Sequence, residues 1–160
     1  MKRHRSFLTL SREHHDGLLL ATRLQQGTGA LTRMWSHDIH WQAEYITRFF
    51  DEQLETHFRC EEQIVFPVSI EYVPDQQRTV ESLLDQHRQM RTLVEYFRHP
   101  TGPVLASKIQ EFGRILEQHI RIEEREFFPQ CEDHIPEDVL RDMEARMKKF
   151  EEGSSHATSH

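Results

Sequence analysis

Hydrophobic residues recur every three or four positions in four long segments of the chain, a pattern typical of amphipathic α-helices. The first segment starts near Ser11 or as early as Arg5, and the second starts at Ser36 or Asp38, either of which is a good N-cap. A fifth, shorter segment follows Pro136. The predicted helices cover about residues 11–26, 36–66, 75–97 and 104–128, with the additional short helix at 136–151.

Glycine and proline number only six each, and they cluster between these segments. Pro67 and Pro129 are predicted to end the second and fourth helices, because proline lacks a backbone N–H and clashes with the preceding turn. Short connections between four helices predict an all-α, up-down-up-down four-helix bundle over residues 5–130. The accessory helix follows outside the bundle, and residues 153–160 are predicted to be a disordered tail because they have nothing to bury.

Composition narrows the function classes. The 160 residues are 36% hydrophobic and 29% charged, which fits one globular domain. The excess of 27 acidic over 20 basic residues gives a net charge of −7, so nucleic acid is not an expected partner. No apolar run approaches the ~20 residues that span a bilayer, and the start of the sequence does not resemble a signal peptide. We therefore expect a cytoplasmic protein without a membrane partner, with Cys60 and Cys131 as free thiols.

The chain contains one internal repeat, H-x-R-x-E-E-x-x-x-F-P, which begins at His57 and again 62 residues later at His119. Residues four apart lie on the same face of a helix, so each copy places an imidazole beside a carboxylate, that of Glu61 or Glu123. Neighbouring positions on both stripes are apolar, which directs the pairs into the core. Two buried carboxylates that face each other repel, and one or two dications would compensate them.

The two remaining helices each offer a histidine on an apolar stripe. His87 lies among hydrophobic positions of the third helix, and His14 shares the apolar stripe of the first. His15 is rotated by about 100° from that stripe and stays open as the alternative ligand. The predicted metal ligands are therefore His14, His57, Glu61, His87, His119 and Glu123.

Four imidazoles and two carboxylates suit two metal ions bridged by both carboxylates. Mixed nitrogen and oxygen donors without thiolate fit iron, manganese or zinc better than Cu(I), whereas calcium and magnesium prefer oxygen. Cys60 is about 100° off the ligand stripe and is interpreted as a packing residue. The remaining charged and imidazole side chains are interpreted as solvated: the scattered Arg and Lys residues, and His37, His40, His99 and His134.

The sequence resembles the hemerythrin-like family, also called the HHE cation-binding domain. The resemblance rests on the Leu10–His14 segment, both copies of H-x-x-x-E-E…F-P, and Gln86-His87, and it covers about residues 5–130. It implies a four-helix bundle with a non-haem di-iron centre (Fe²⁺/Fe³⁺). Manganese and zinc are possible substitutes. In the implied arrangement Glu61 and Glu123 bridge the ions, His14 and His57 bind one, and His87 and His119 bind the other.

Two positions depart from the pattern of oxygen-carrying hemerythrins. Those carriers have a second histidine four residues after the first on the third helix, where this chain has Arg91, and a His-x-x-x-x-Asp pair where it has His119-x-x-x-Glu123. The resemblance therefore implies binding or sensing of a small ligand (oxygen, nitric oxide or peroxide) or of iron, rather than simple oxygen carriage. The alternatives are a di-iron oxidase or peroxidase, an iron-centre repair factor, and an iron-responsive interaction module. The sequence does not decide whether the protein is an enzyme.

Overall fold

The protein is almost entirely helical. A computed structural model describes residues 2–26 and 35–157, with side chains up to residue 154, and these ranges contain no strand. None of the described helices is both long and apolar enough to cross a membrane. A 3₁₀ turn at Arg5–Phe7 leads into the first helix, as the early start predicted. The helices are α1 (Leu8–Gln26), α2 (residues 39–72), α3 (Gln77–Arg98), α4 (residues 105–134) and α5 (Glu137–Ala157).

Successive helices of the bundle are antiparallel. His14 of α1 contacts Glu124 of α4, whereas Gln25, eleven residues later, contacts Gly113, eleven residues earlier. The same reversal relates α3 to α2 and to α4, as seen in the pairs Glu62–His87, Asp51–Arg98, His119–His87 and Phe112–Phe97. The prediction of an up-down-up-down four-helix bundle with a further helix is confirmed.

Two glycines allow α1 and α4 to approach closely. A Cβ atom at Gly113 would lie 3.0 Å from Cβ of Leu24 and 3.1 Å from the carbonyl oxygen of Ala21. A Cβ atom at Gly17 would lie 2.8 Å from Cδ1 of Ile120. The missing side chains therefore set the distance between the two helices.

The hydrophobic core has two parts, separated by a polar layer. One cluster fills the end of the bundle that contains Trp35, Phe97 and Phe112. The other fills the opposite end, where Phe7 and Val80 pack with residues of α5. The layer between them buries His14, His57, Glu61, His87, His119 and Glu123.

Both α2 and α4 continue past the prolines at which they were predicted to end. α2 runs through Pro67 and α4 through Pro129, and each proline follows a π-helical turn, Glu61–Val65 or Glu123–Phe127. In an α-helix the proline ring clashes with the carbonyl group four residues earlier. The π turn widens the helix there, with backbone N–H groups reaching back five residues, so the proline fits without ending the helix.

The C-terminal helix is longer than predicted. α5 packs against the first turn of the chain and against α2, and it buries Leu140, Met143 and Met147. Its helical backbone continues to Ala157, so residues 153–157 are not the disordered segment expected from their composition. Glu151 and Ser154 lie at the same cavity as residues of α1 and α2, so the last turns of α5 cover part of the bundle. The remaining residues of the predicted tail, 158–160, lie outside the described residues.

Candidate metal centre

Six buried polar side chains, one or two from each bundle helix, meet in the layer between the hydrophobic clusters. They are His14 of α1, His57 and Glu61 of α2, His87 of α3, and His119 and Glu123 of α4, each at most 4% exposed. Their donor atoms form two groups, and within each group all atoms lie within 4.8 Å of one another. Both groups contain both carboxylates. One group adds the imidazoles of α1 and α2, and the other adds those of α3 and α4.

The carboxylates lie between imidazole nitrogens of different helices. Glu61 Oε1 is 3.3 to 3.7 Å from three Nε2 atoms, those of His57, His87 and His119. Glu123 has one oxygen 2.5 Å from Nε2 of His119 and the other 3.6 Å from Nε2 of His14. The sequence-predicted set is therefore brought together, with its Nε2 atoms and carboxylate oxygens converging on one region.

Several of these converging atoms have no hydrogen-bond partner. Among the described residues, both oxygens of Glu61, both oxygens of Glu123 and Nε2 of His14 are buried without one. A buried polar atom left unpaired costs about 1–3 kcal/mol, and more when the group is charged. A cation among these atoms would satisfy them all, so the donor set fits a metal site.

The other nitrogen of each imidazole is held by a polar side chain outside the cluster. Nδ1 of each histidine faces an oxygen at 2.7 to 3.4 Å. A carboxylate oxygen or an amide oxygen accepts a hydrogen bond, so Nδ1 carries the proton and Nε2 presents its lone pair to the centre. The four pairs are His14 with Glu124, His57 with Glu13, His87 with Glu62, and His119 with Gln86.

The family model for the hemerythrin HHE cation-binding domain matches residues 6–131 of the 160. The chain belongs to the hemerythrin HHE cation-binding family. A comparison with curated proteins gave no match. Family membership and the buried histidine and glutamate cluster together indicate a metal-binding site.

The phase of α1 in this HHE domain places His14, rather than His15, in the cluster. His14 is 4% exposed, whereas His15 lies on the solvent side of the helix. The histidines that the sequence assigned to the surface are exposed: His37, His40, His99 and His134. Cys60 and Cys131 are both buried free thiols, as predicted.

Sequence reasoning missed the side chains that hold the imidazoles in place. Two of them, Glu62 and Glu124, are the second glutamate in each copy of the repeat. This shared position is the sequence feature that could have identified them. Each of these carboxylates contacts the histidine of a neighbouring helix. Two arginines interpreted as solubilising, Arg3 and Arg91, are only partly exposed and pair with these same carboxylates.

Burial and charge shift the pKa values within the HHE centre. Burial, followed by the charge of Glu123, raises the pKa of Glu61 well above its ordinary value. Burial lowers the pKa of His87 to about 4, and it also lowers the pKa of His14. At Glu62 burial alone would raise the pKa, but hydrogen bonds outweigh it and lower the pKa to about 2. In the metal-free protein at neutral pH, burial therefore favours neutral imidazoles at His14 and His87.

A cavity of about 370 Å³ opens to solvent beside the centre. His57 and Cys60 of α2 lie in its wall together with Glu13 of α1, and the end of α5 contributes Glu151 and Ser154. Because His57 belongs both to the cavity wall and to the cluster, the cavity lies directly beside this side of the HHE centre.

Proposed function

We propose that the protein is a non-haem di-iron protein that binds or senses a small ligand such as oxygen, nitric oxide or peroxide. The observation that carries this proposal is the pair of donor groups that share Glu61 and Glu123. Two separate sites would not need common ligands, whereas a bridged pair of ions requires them. The proposed ligands are His14 and His57 for one ion and His87 and His119 for the other.

The chemistry of the donor set suits iron, manganese or zinc. Two carboxylates and four neutral imidazoles provide mixed oxygen and nitrogen donors of the kind that iron, manganese and zinc accept. Neither buried thiol belongs to the donor groups. Iron is proposed because the chain belongs to the hemerythrin HHE family, and manganese or zinc could occupy the same donors.

The protein's own part is to orient the donors and to limit access. The Nδ1 contacts keep the four Nε2 atoms directed inward before any ion arrives. Phe58 stacks on His87 and Phe128 stacks on His14, so aromatic rings cover two of the imidazoles and exclude water. Iron bound here would supply electrons and an open coordination position to a small ligand. The cavity beside His57 is the proposed entrance for that ligand.

Metal analysis and optical spectroscopy test this proposal. After anaerobic reconstitution with Fe²⁺ we expect about two ions per chain, and replacement of Glu61 or Glu123 by alanine should lower this number. The anaerobic spectrum should change when air or nitric oxide is admitted. Retention of at most one ion, with no change in either alanine variant, would contradict the dinuclear assignment.

An oxidase or peroxidase is the second candidate, and the cavity beside His57 favours it because a substrate larger than a diatomic molecule would fit there. Turnover distinguishes the two functions. A spectral change that reverses when oxygen is removed, without product, supports binding. Sustained consumption of oxygen or peroxide in the presence of a reductant supports catalysis.

A further inference from the structure

Arg91 of α3 fixes both the carboxylate and the aromatic ring that surround one imidazole. Its guanidinium group contacts Glu62 at 2.7 and 3.1 Å and Glu55 at 3.1 and 3.2 Å. Glu62 in turn accepts the Nδ1 hydrogen bond of His87 at 2.7 Å. The same guanidinium lies 5.8 Å from the ring centre of Phe58, which stacks on His87 at 3.9 Å. One arginine therefore holds two neighbours of the imidazole.

Arg3, which precedes α1, makes the same arrangement at a second imidazole. Its guanidinium contacts Glu132 at 2.5 Å, and it contacts Glu124 through both the carboxylate, at 3.0 Å, and the backbone carbonyl, at 2.7 Å. Glu124 accepts the Nδ1 hydrogen bond of His14 at 2.7 Å. Arg3 also lies 5.5 Å from the ring centre of Phe128, which stacks on His14. Two unrelated stretches of sequence thus provide the same surroundings, which argues against a chance surface ion pair.

We propose that Arg91 and Arg3 are positioning residues of the metal centre. By fixing Glu62 and Glu124, each keeps one imidazole in its Nδ1–H form, with the Nε2 lone pair directed at the centre. The inference rests on the proposed function, because it takes these imidazoles to be metal ligands. A guanidinium group has no lone pair to offer a cation, so each arginine acts through the carboxylate that it holds.

The sign of the effect separates positioning from simple electrostatics. A guanidinium group near a dication repels it, so charge alone predicts that removing the arginine tightens metal binding. Positioning predicts the opposite, because the carboxylate loses its fixed orientation and the imidazole loses its partner. Lysine keeps the charge but not the rigid fork that binds a carboxylate with two hydrogen bonds. A lysine variant therefore distinguishes geometry from charge.

The experiment compares Arg91→Gln, Arg91→Lys and Glu62→Gln with the control Arg88→Gln, an exposed residue of the same helix that pairs with Asp85. The first measurement is imidazole ¹⁵N NMR of the metal-free protein, which reports the tautomer of His87. The second is the affinity for Co²⁺, measured by competition with a chelator. Glu62→Gln should weaken the binding of one of the two ions ~10- to 100-fold, and Arg91→Gln and Arg91→Lys should each weaken it up to ~10-fold. The double variant Arg91→Gln/Glu62→Gln should be no weaker than Glu62→Gln alone, because both act through one contact.

The inference is overturned if Arg91→Gln binds Co²⁺ as tightly as wild type, or more tightly, and leaves the His87 tautomer unchanged. If Arg91→Gln does not fold, the same two measurements on Arg91→Lys test the inference, since this variant keeps the positive charge and loses only the rigid fork. Failure of the wild-type protein to bind metal would contradict the proposed function. The tautomer measurement would still decide the role of Arg91, because it needs no metal. The parallel variant Arg3→Gln should shift the signals of His14 and leave those of His87 in place.

Discussion

Replacing Glu61 by glutamine should stabilise the metal-free protein and weaken its response to metal. Burial and the charge of Glu123 raise the pKa of Glu61 above its ordinary value of 4.5, so at pH 7 folding either protonates this carboxyl group or buries its charge. The free-energy cost of protonating Glu61 at pH 7 is the upper limit of this destabilisation, because the folded protein adopts whichever of the two forms has the lower free energy. That limit is about 2.5 pH units at about 1.4 kcal/mol each, or about 3.5 kcal/mol at pH 7. The neutral amide avoids it.

The sign of the pH dependence follows from the direction of the shift. Because folding raises the pKa of Glu61, the folded protein binds more protons than the unfolded chain at pH values between about 4.5 and the raised pKa. The cost therefore grows as the pH rises from 4.5, and it is at most about 1.4 kcal/mol at pH 5.5.

Urea and thermal unfolding of chelator-treated protein at pH 7 and pH 5.5 measure this effect. In a chain of this length, 1 kcal/mol shifts the Tm by about 2–4 °C. The matched control is Glu71→Gln, an exposed glutamate of the same helix, which should change stability little. With metal at 100 times the Kd the wild type gains about 2.7 kcal/mol, and the variant, which has lost a shared donor, should gain less. A metal-free Glu61→Gln protein that is less stable than wild type at pH 7, or a difference that does not change with pH, would refute this reasoning.

Three further outcomes are expected. At limiting Fe²⁺, His14→Ala should lose more iron than His15→Ala, and the reverse result would show that the helix phase is wrong by one residue. Gly113→Ala should destabilise the fold by about 1–2 kcal/mol in urea, because crowding against α1 outweighs the helix propensity that alanine adds. Gly153→Ala, with open space around it, should instead be neutral or stabilising. Both cysteine thiols, whose pKa burial raises to about 12, should react with iodoacetamide at pH 8 far more slowly in the folded than in the unfolded protein.

The helices could be predicted from the sequence because their hydrophobic period is local. The cluster could be predicted because the repeat places His57 with Glu61 and His119 with Glu123 on apolar stripes. The course of α2 and α4 past Pro67 and Pro129 could not be predicted, since proline is a strong local signal for a helix end and the hydrophobic period does not indicate the π turns that relieve the clash.

The role of the arginines could not be predicted for a different reason. Arg3 and Glu124 are 121 residues apart, and Arg91 and Glu62 are 29 apart. A charged residue among polar positions looks the same in sequence whether it is solvated or binds a carboxylate from a distant part of the chain. Only the distances between helices distinguish the two cases.

The π turns explain why each repeat ends in Phe-Pro at a fixed distance from its glutamate. Residues five apart in an α-helix point about 140° away from each other, so a glutamate facing the centre would turn the following phenylalanine outward. In a π turn a hydrogen bond joins residues five apart, which stacks one over the other. Phe66 and Phe128 therefore stay buried on the side of the centre, and each lies 5.7 Å from an imidazole.

These contacts show that each copy of the repeat contacts the histidine of a neighbouring helix. In the first copy, Glu62 accepts the hydrogen bond of His87, and Phe66 stacks on the same ring. In the second copy, Glu124 and Phe128 do the same for His14. A helix that contributes only one imidazole thus needs no partner residues of its own, because its antiparallel neighbour supplies both the hydrogen bond and the aromatic contact. The two copies therefore give His87 and His14 equivalent surroundings. The surroundings of His87 depend on the correct packing of α2 with α3, and those of His14 depend on the packing of α4 with α1.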